Sequence, residues 1–275
     1  MTALRVELRK ALAGRTFTWA IIAALALVGF MALVPALIST SGDITEYVTE
    51  SNGLKTLAEP LRSYLYSAAA RVGYVVPFVL GSLAVGVEWR EHTMGRSIIG
   101  AGGPSGLVVA KVVTVGLQSA GIGVLVSLVD GGLVAAVLHG RGLDAGLGDS
   151  AVQGILVRTP LVFLVWGIIG VGLALIIRSQ AANLAVVFAF FLFIEPTLTN
   201  LANESPSFSG IGRFLPGAAS LSLAWPPESS GPAQTTGGVT AALSWPAGGA
   251  VLLGYAALVV LIGYLVRFRR MDIDA

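Results

Sequence analysis

Six apolar stretches, each close to twenty residues long, constrain this chain more than any other feature. They cover residues 17–38, 68–87, 107–129, 155–177, 184–201 and 246–266. A helix needs about 20 apolar residues to cross a hydrocarbon core roughly 30 Å thick, so each stretch is long enough to span it. The third has an extension toward residue 138 that leaves its end open. The fifth is the shortest and contains Glu195-Pro196. Composition agrees: 12% of the 275 residues are charged, about half the usual share of roughly 25% in soluble domains. Apolar residues reach 55%, and the mean hydropathy is +0.83. Too few polar groups remain to clothe a soluble surface, and the chain is too apolar for intrinsic disorder. The sequence therefore predicts an all-α integral membrane protein, a single transmembrane domain over residues 1–275 with six transmembrane helices.

The first stretch follows a basic segment, as a signal peptide would. It is too long for one, and it ends Ala36-Leu37-Ile38-Ser39 without a small-x-small cleavage site, so an uncleaved signal anchor is expected. Six spans put both termini on one side. That side carries Arg5, Arg9, Lys10, Arg15, Arg90, Arg96, Lys111, Arg178, Arg267, Arg269 and Arg270; the other holds Lys55, Arg62, Arg71, Arg141, Arg158 and Arg213. Basic residues in short loops favour the cytoplasm, so both termini are expected there. Outside the spans lie an acidic outer segment at 39–66, an inner one at 88–106, a small outer one at 139–154 and a longer outer one at 202–245.

Several chemistries are excluded. Cysteine is absent, which removes disulfides, thiolate metal sites and cysteine nucleophiles. His92 and His139 are the only histidines, too few for a histidine-rich metal site. A net charge of +2 does not suggest nucleic-acid binding. A Walker A loop needs glycine directly before its lysine, but Lys10, Lys55 and Lys111 follow Arg9, Leu54 and Ala110. His92 is followed by Thr93 and His139 by Gly140, so no H-E-x-x-H motif exists. Ser209-Gly210 follows Phe208, and no histidine lies beyond residue 139, which excludes a rhomboid-like serine protease. No enzyme activity, catalytic residue, metal or cofactor is expected, and any energy source must come from another chain.

Ionisable residues within spans default to a functional reading. Arg71 and Arg158 sit near outer ends, where long side chains snorkel. Asp130, before Gly131-Gly132, reads as the top of a helix. Glu195, beside Pro196, reads as an interfacial helix break. The 35 glycines are about 13% of the chain against a usual 7%. Among them, Gly116/Ala120 and Gly170/Ala174 place small residues one turn apart, a spacing that lets helix backbones approach.

Two inner elements point to a partner. Residues 2–16 read as an amphipathic helix with Leu4, Leu8 and Leu12 in one stripe and Arg5, Arg9, Lys10 and Arg15 off it. Such a helix can rest on membrane lipid in the headgroup plane, or act as a lever against a cytoplasmic partner. The second element, 88–106, packs Glu88, Arg90, Glu91 and His92 at the end of span two. Met94, Ile98 and Ile99 follow, then Gly102-Gly103-Pro104-Ser105 turns the chain, with Ser105 a candidate N-cap for span three. A plain linker could be shorter, so this segment reads as a docking element.

These residues carry a resemblance to the permease subunit of ABC-2 type exporters. That family has an acidic residue after span two, a Gly-Thr-like turn, a Leu-Leu-like pair, Pro-Ser-Arg-like residues and a lysine. Glu88 or Glu91, Thr93-Met94-Gly95-Arg96, Ile98-Ile99, Pro104-Ser105 and Lys111 stand in those places; Gly106 stands where arginine is common. The N-terminal amphipathic helix, the Arg267-Phe-Arg-Arg-Met-Asp-Ile tail and Phe214-Leu215-Pro216 also resemble the family. The resemblance implies a type V exporter-like fold with outer re-entrant helices after span five, in a bacterial cytoplasmic membrane. It implies a dimer with a second permease subunit, homo- or heterodimeric, bound to ABC ATPase subunits. ATPase coupling would fall to Arg5, Arg9, Lys10, Glu88, Arg90, Glu91, His92, Arg96 and Pro104, and an outer gate or helix break to Glu195 and Pro196. The aliphatic spans suit a hydrophobic or amphiphilic export substrate. The alternative is a membrane-anchored structural or assembly protein without transport; secondary transport ranks third.

Overall fold

The computed structural model describes residues 2–41, 48–51, 54–204, 209–225 and 243–268. Six helical segments in it are long and apolar enough to cross a membrane: Arg15–Ser39, Ala69–Arg90, Pro104–Gly140, Ser150–Ile176, Gln180–Ala202 and Trp245–Phe268. They match the six apolar stretches one for one, as a multi-pass all-α membrane protein requires. The chain runs α1 (Thr2–Ala13), α2 (Arg15–Ser39), a hairpin of β1 (Val48–Ser51) and β2 (Leu54–Leu57), and α3 (Glu59–Tyr66). It continues through α4 (Val75–Arg90), α5 (Met94–Gly100), α6 (Pro104–Gly140), α7 (Ser150–Ile176) and α8 (Gln180–Ala189). The last elements are α9 (Glu195–Glu204), α10 (Ser209–Gly212), α11 (Pro216–Ala224) and α12 (Trp245–Phe268). The antiparallel hairpin, Val48 opposite Leu57 and Ser51 opposite Leu54, adds a small β element to an expected all-α chain.

The centre of the bundle is α7. It packs against α4, α6 and α12, and 67% of its most apolar window is buried, against 11% for the span Gln180–Ala202 and 22% for α12. Lipid tails are as apolar as leucine, so burial here follows close packing rather than escape from water. Gly170 shows the requirement: a Cβ there would strike the Phe78 carbonyl, and one on Gly81 would strike the Gly167 carbonyl. The α4 and α7 backbones therefore touch. The pair Gly116/Ala120 differs, because a Cβ on Gly116 would meet only Ile168 and Leu164 side chains at ordinary contact distance. Trp166 adds an aromatic centre, stacked on Tyr74 at 4.7 Å, with its Nε1 donating to Ser220 Oγ at 3.0 Å.

Three polar residues take places that hydropathy alone did not indicate. Asp130 is fully buried within α6, which continues to Gly140, so it is not the top of a helix. Its Oδ2 accepts from the Ala69 amide at 3.1 Å, where a π-turn, Ala69–Gly73, leads into α4. Glu195-Pro196 does not break span five either. A π-turn at Phe190–Ile194 precedes the pair, and the helix runs on through Pro196 in the first turn of α9. Asn183, buried in α8, donates to Ser82 Oγ on α4 at 2.7 Å. In hydrocarbon each such group needs a partner within the protein.

At one end of the bundle, the segments expected as separate outer loops are joined. Arg62 on α3 pairs with Asp149 and donates to Thr56 Oγ1 at 2.8 Å; Tyr66 donates to the Ala145 carbonyl at 2.7 Å. Asp149 also caps α7, its Oδ1 accepting from the Ala151 amide at 3.0 Å. Arg269 and Arg270, Leu12 of the leucine stripe, and residues 205–208 and 226–242 of the outer segment lie outside the residues or side chains described. Asp149→Ala is expected to lower stability by about 3 kcal/mol, through loss of both a largely buried ion pair and a cap. Asp149→Asn keeps the cap and should cost less. Thermal unfolding of the purified protein in detergent checks the order.

Candidate functional site

Lys111 lies two turns into α6 and is 3% exposed. A buried ammonium costs several kcal/mol unless its three donors find partners. Here they do: Nζ reaches Glu88 Oε1 at 2.9 Å, Glu7 Oε2 at 3.2 Å and the Ala84 carbonyl at 2.8 Å. Lys10 makes the matching set, to Glu7 Oε1 at 3.2 Å, Glu88 Oε1 at 3.4 Å and Ser97 Oγ at 3.4 Å. Ser97 in turn donates to Glu88 Oε1 at 3.1 Å. Two lysines and two glutamates form a neutral network that joins α1, α4, α5 and α6.

This network re-sorts the residues expected to couple to a partner. For α1 the sequence left open a rest on lipid and a lever against a partner; the helix packs against α6, and Glu7, on the same face as Leu4 and Leu8, is buried. Glu88 and Lys10 hold the network. Arg5, Arg9, Arg90, Glu91, His92 and Arg96 are exposed around it, with Arg90 and Glu91 in a loose pair at 3.8 Å. Val6 and Ile99 are exposed apolar neighbours, Ile99 at 83%. Sequence reasoning missed Glu7. Its signal was spacing: Glu7 lies one turn from Leu4 and Lys10, on the inward side of the helix. A cavity of about 370 Å³ adjoins the network, lined by Glu7, Lys10, Glu88 and Lys111 together with Phe17 and Gln118. Within it Glu88 Oε2 and Thr114 Oγ1 have no hydrogen-bond partner among the described residues.

The 88–106 segment is mostly helix, and its turns have defined chemistry. At the end of α4 the His92 amide bonds to the Trp89 carbonyl, and the Thr93 amide to that of Glu88 at 3.0 Å. This is the Schellman pattern, and it puts His92 at φ 55°, in the left-handed region. At the end of α5 the pattern repeats with Gly102 and Gly103, whose amides bond to Ile99 and Ile98. Gly103, at φ 125°, then serves as N-cap of α6, with Pro104 at its first position, so Ser105 is not the cap. Two glycines relieve the strain at the second turn; a histidine bears it at the first.

At the opposite end, Glu195 is buried and its Oε1 accepts from the Gly217 amide at 2.7 Å, at the start of α11. A carboxylate at a helix N-terminus is favourable, so Glu195 clasps span five to α11, while Pro196 sits in the turn after it. Compared with protein-family models and with curated proteins, the chain matches none.

Two predictions follow the charges. Burial raises the Glu7 pKa, but Lys111 and Lys10 outweigh it and hold the carboxyl below its ordinary 4.5. Burial lowers that of Lys10, and Glu7 and Glu88 outweigh it and hold the ammonium above 10.5. The Glu7 contribution is therefore full above pH 4.5 and lost as pH falls through the depressed folded value. The Lys10 contribution is full below pH 10.5 and lost as pH rises through the raised one. Hydrogen exchange of α1, corrected for its intrinsic pH dependence, should stay slow between these limits and quicken below the lower. Glu7→Gln should cost about 2 kcal/mol of that protection at pH 7 and blunt the acid transition. Separately, His92→Gly should stabilise the protein by about 1 kcal/mol, read as a raised melting temperature.

Proposed function

We propose that this chain is the permease subunit of an ABC-2 type exporter, working as a dimer with separate ATPase subunits to move a hydrophobic or amphiphilic substrate outward. The observation that carries this reading is the Glu7–Lys10–Glu88–Lys111 network. It ties α1 and α5 to the ends of spans two and three, so a push on the exposed cations around it moves α4 and α6 together. A membrane-surface anchor helix alone has no need of three buried charges and a fourth at their edge, drawn from three elements. Arg5, Arg9, Arg90, Glu91, His92 and Arg96 form the docking face in this reading, and the network behind them is the lever. The basic end is cytoplasmic, and the membrane is the bacterial cytoplasmic membrane. The sparsely buried span five and α12 offer surface to a second permease subunit, with α10 and α11 as the outer re-entrant pair.

The test reverses the exposed charges and leaves the network intact. Arg90→Glu, Glu91→Lys and Arg96→Glu together should cost little stability, because surface pairs are worth about 0–1 kcal/mol. Like charges at a complementary interface cost several kcal/mol, each 1.4 kcal/mol being about tenfold in affinity. The triple variant should reach the membrane at wild-type levels yet lose the co-purifying ATPase and its nucleotide hydrolysis. Arg141→Glu, exposed at the other end, should lose neither. An ATPase retained by the triple variant would defeat the docking face and favour the structural, non-transporting alternative.

A further inference from the structure

A second group of cations stands at the same end of the bundle, and no carboxylate among the described residues pairs with it. Trp89, in the last turn of α4, faces two guanidinium groups: Arg267 Cζ lies 3.7 Å from the ring centroid and Arg178 Cζ 5.7 Å. Arg178 follows α7 and Arg267 lies in the last turn of α12, so three distant segments bring two like charges to one ring. A cavity of about 650 Å³ opens there, lined by Trp89, Arg90, His92, Arg178, Ser179 and Arg267 among others, with no carboxylate in its lining among the described residues. Neither Arg178 nor Arg267 has a carboxylate partner among the described residues. Trp89 Nε1 and Arg267 Nε are buried there without a hydrogen-bond partner among the described residues.

Cation–π contact with one indole offsets only part of the cost of holding two guanidinium groups together. An anion would offset the rest. Arginine forks match phosphate oxygens in paired hydrogen bonds. Ser179, whose Oγ caps α8 by accepting from the Ala182 amide, brings the positive end of that helix to the same cavity. The volume is that of a small-ligand site. The residues lie at the ends of spans two, four and six, and the membrane–water boundary is where tryptophan and arginine are at home.

We propose that this pocket binds a phosphate ester, presented by the headgroup of an anionic phospholipid. Bound there, the lipid ties the ends of α4, α7 and α12 together. The inference needs only the six-span fold and does not rest on the permease reading.

Native mass spectrometry of the full chain in a neutral detergent, titrated with dioleoylphosphatidylglycerol or dioleoylphosphatidylcholine, tests it. Wild type should retain phosphatidylglycerol over phosphatidylcholine. Arg178→Gln with Arg267→Gln should weaken that retention about tenfold or more, equivalent to 1.4 kcal/mol. Arg178→Lys with Arg267→Lys, which keeps the charge, should restore part of it. Arg158→Gln removes an arginine from another ring, Trp245 at 4.9 Å, and should leave retention unchanged. Inorganic phosphate identifies the source. Failure to displace the lipid supports a headgroup site, and displacement from wild type but not from the lysine variant supports the same pocket filled by soluble phosphate. Equal retention of both lipids by wild type, undiminished phosphatidylglycerol retention in the glutamine variant, or an equal loss in Arg158→Gln would overturn the proposal.

Discussion

The organisation of the basic end depends on one buried ammonium. Lys111 sits where water is scarce, and its burial is tolerable only because Glu7, Glu88 and the Ala84 carbonyl take its three protons' hydrogen bonds. Each acceptor comes with an element attached. Glu7 brings α1 onto α6, Glu88 fixes the last turn of α4, and Lys10 reaches over both to Ser97 of α5. Remove the lysine and two carboxylates would face each other with one cation between them. The position of the N-terminal helix thus follows from charge satisfaction.

The rest of the bundle follows a different constraint. Within the spans, backbone groups are satisfied by helix formation, and helices associate where small residues let them approach. Gly81 and Gly170 bring α4 against α7, and Trp166 gathers Tyr74 and Phe191 around it. Peripheral spans keep their apolar faces outward. The two ends differ accordingly: one is locked by the Arg62–Asp149 pair and the Glu195–Gly217 clasp, the other by the lysine–glutamate network. The exposed arginines at the second end stay free of that lock, which is what an interaction surface requires.

Much of this was legible from residue order alone. Six spans follow from hydropathy because a bilayer demands about 20 apolar residues per crossing, and α6 extends past its apolar window because nothing from Pro104 to Gly140 stops a helix. The Gly102-Gly103-Pro104 turn was legible as a turn, since glycine and proline punctuate chains by local geometry. What these signals could not convey is pairing. Glu7 looks like one acidic residue in a basic helix until α6 is placed beside it. Asp130 looks like a helix end until the Ala69 amide is brought to it, and Glu195-Pro196 looks like a break until the π-turn and the Gly217 amide are seen.

Local order determined the class of this protein and the number of its crossings, because hydropathy and turn chemistry act over a few residues and need no partner. It also determined that no nucleotide-binding P-loop could form around its three lysines. Only the tertiary structure decided which charges join the buried network and which stand outside it, separating Lys10 and Glu88 from Arg90, Glu91 and Arg96. It alone brought Arg178 and Arg267 to the Trp89 ring. A buried ion pair joins residues as far apart as Glu7 and Lys111, and whether a charge meets its partner depends on packing between helices that residue order does not specify.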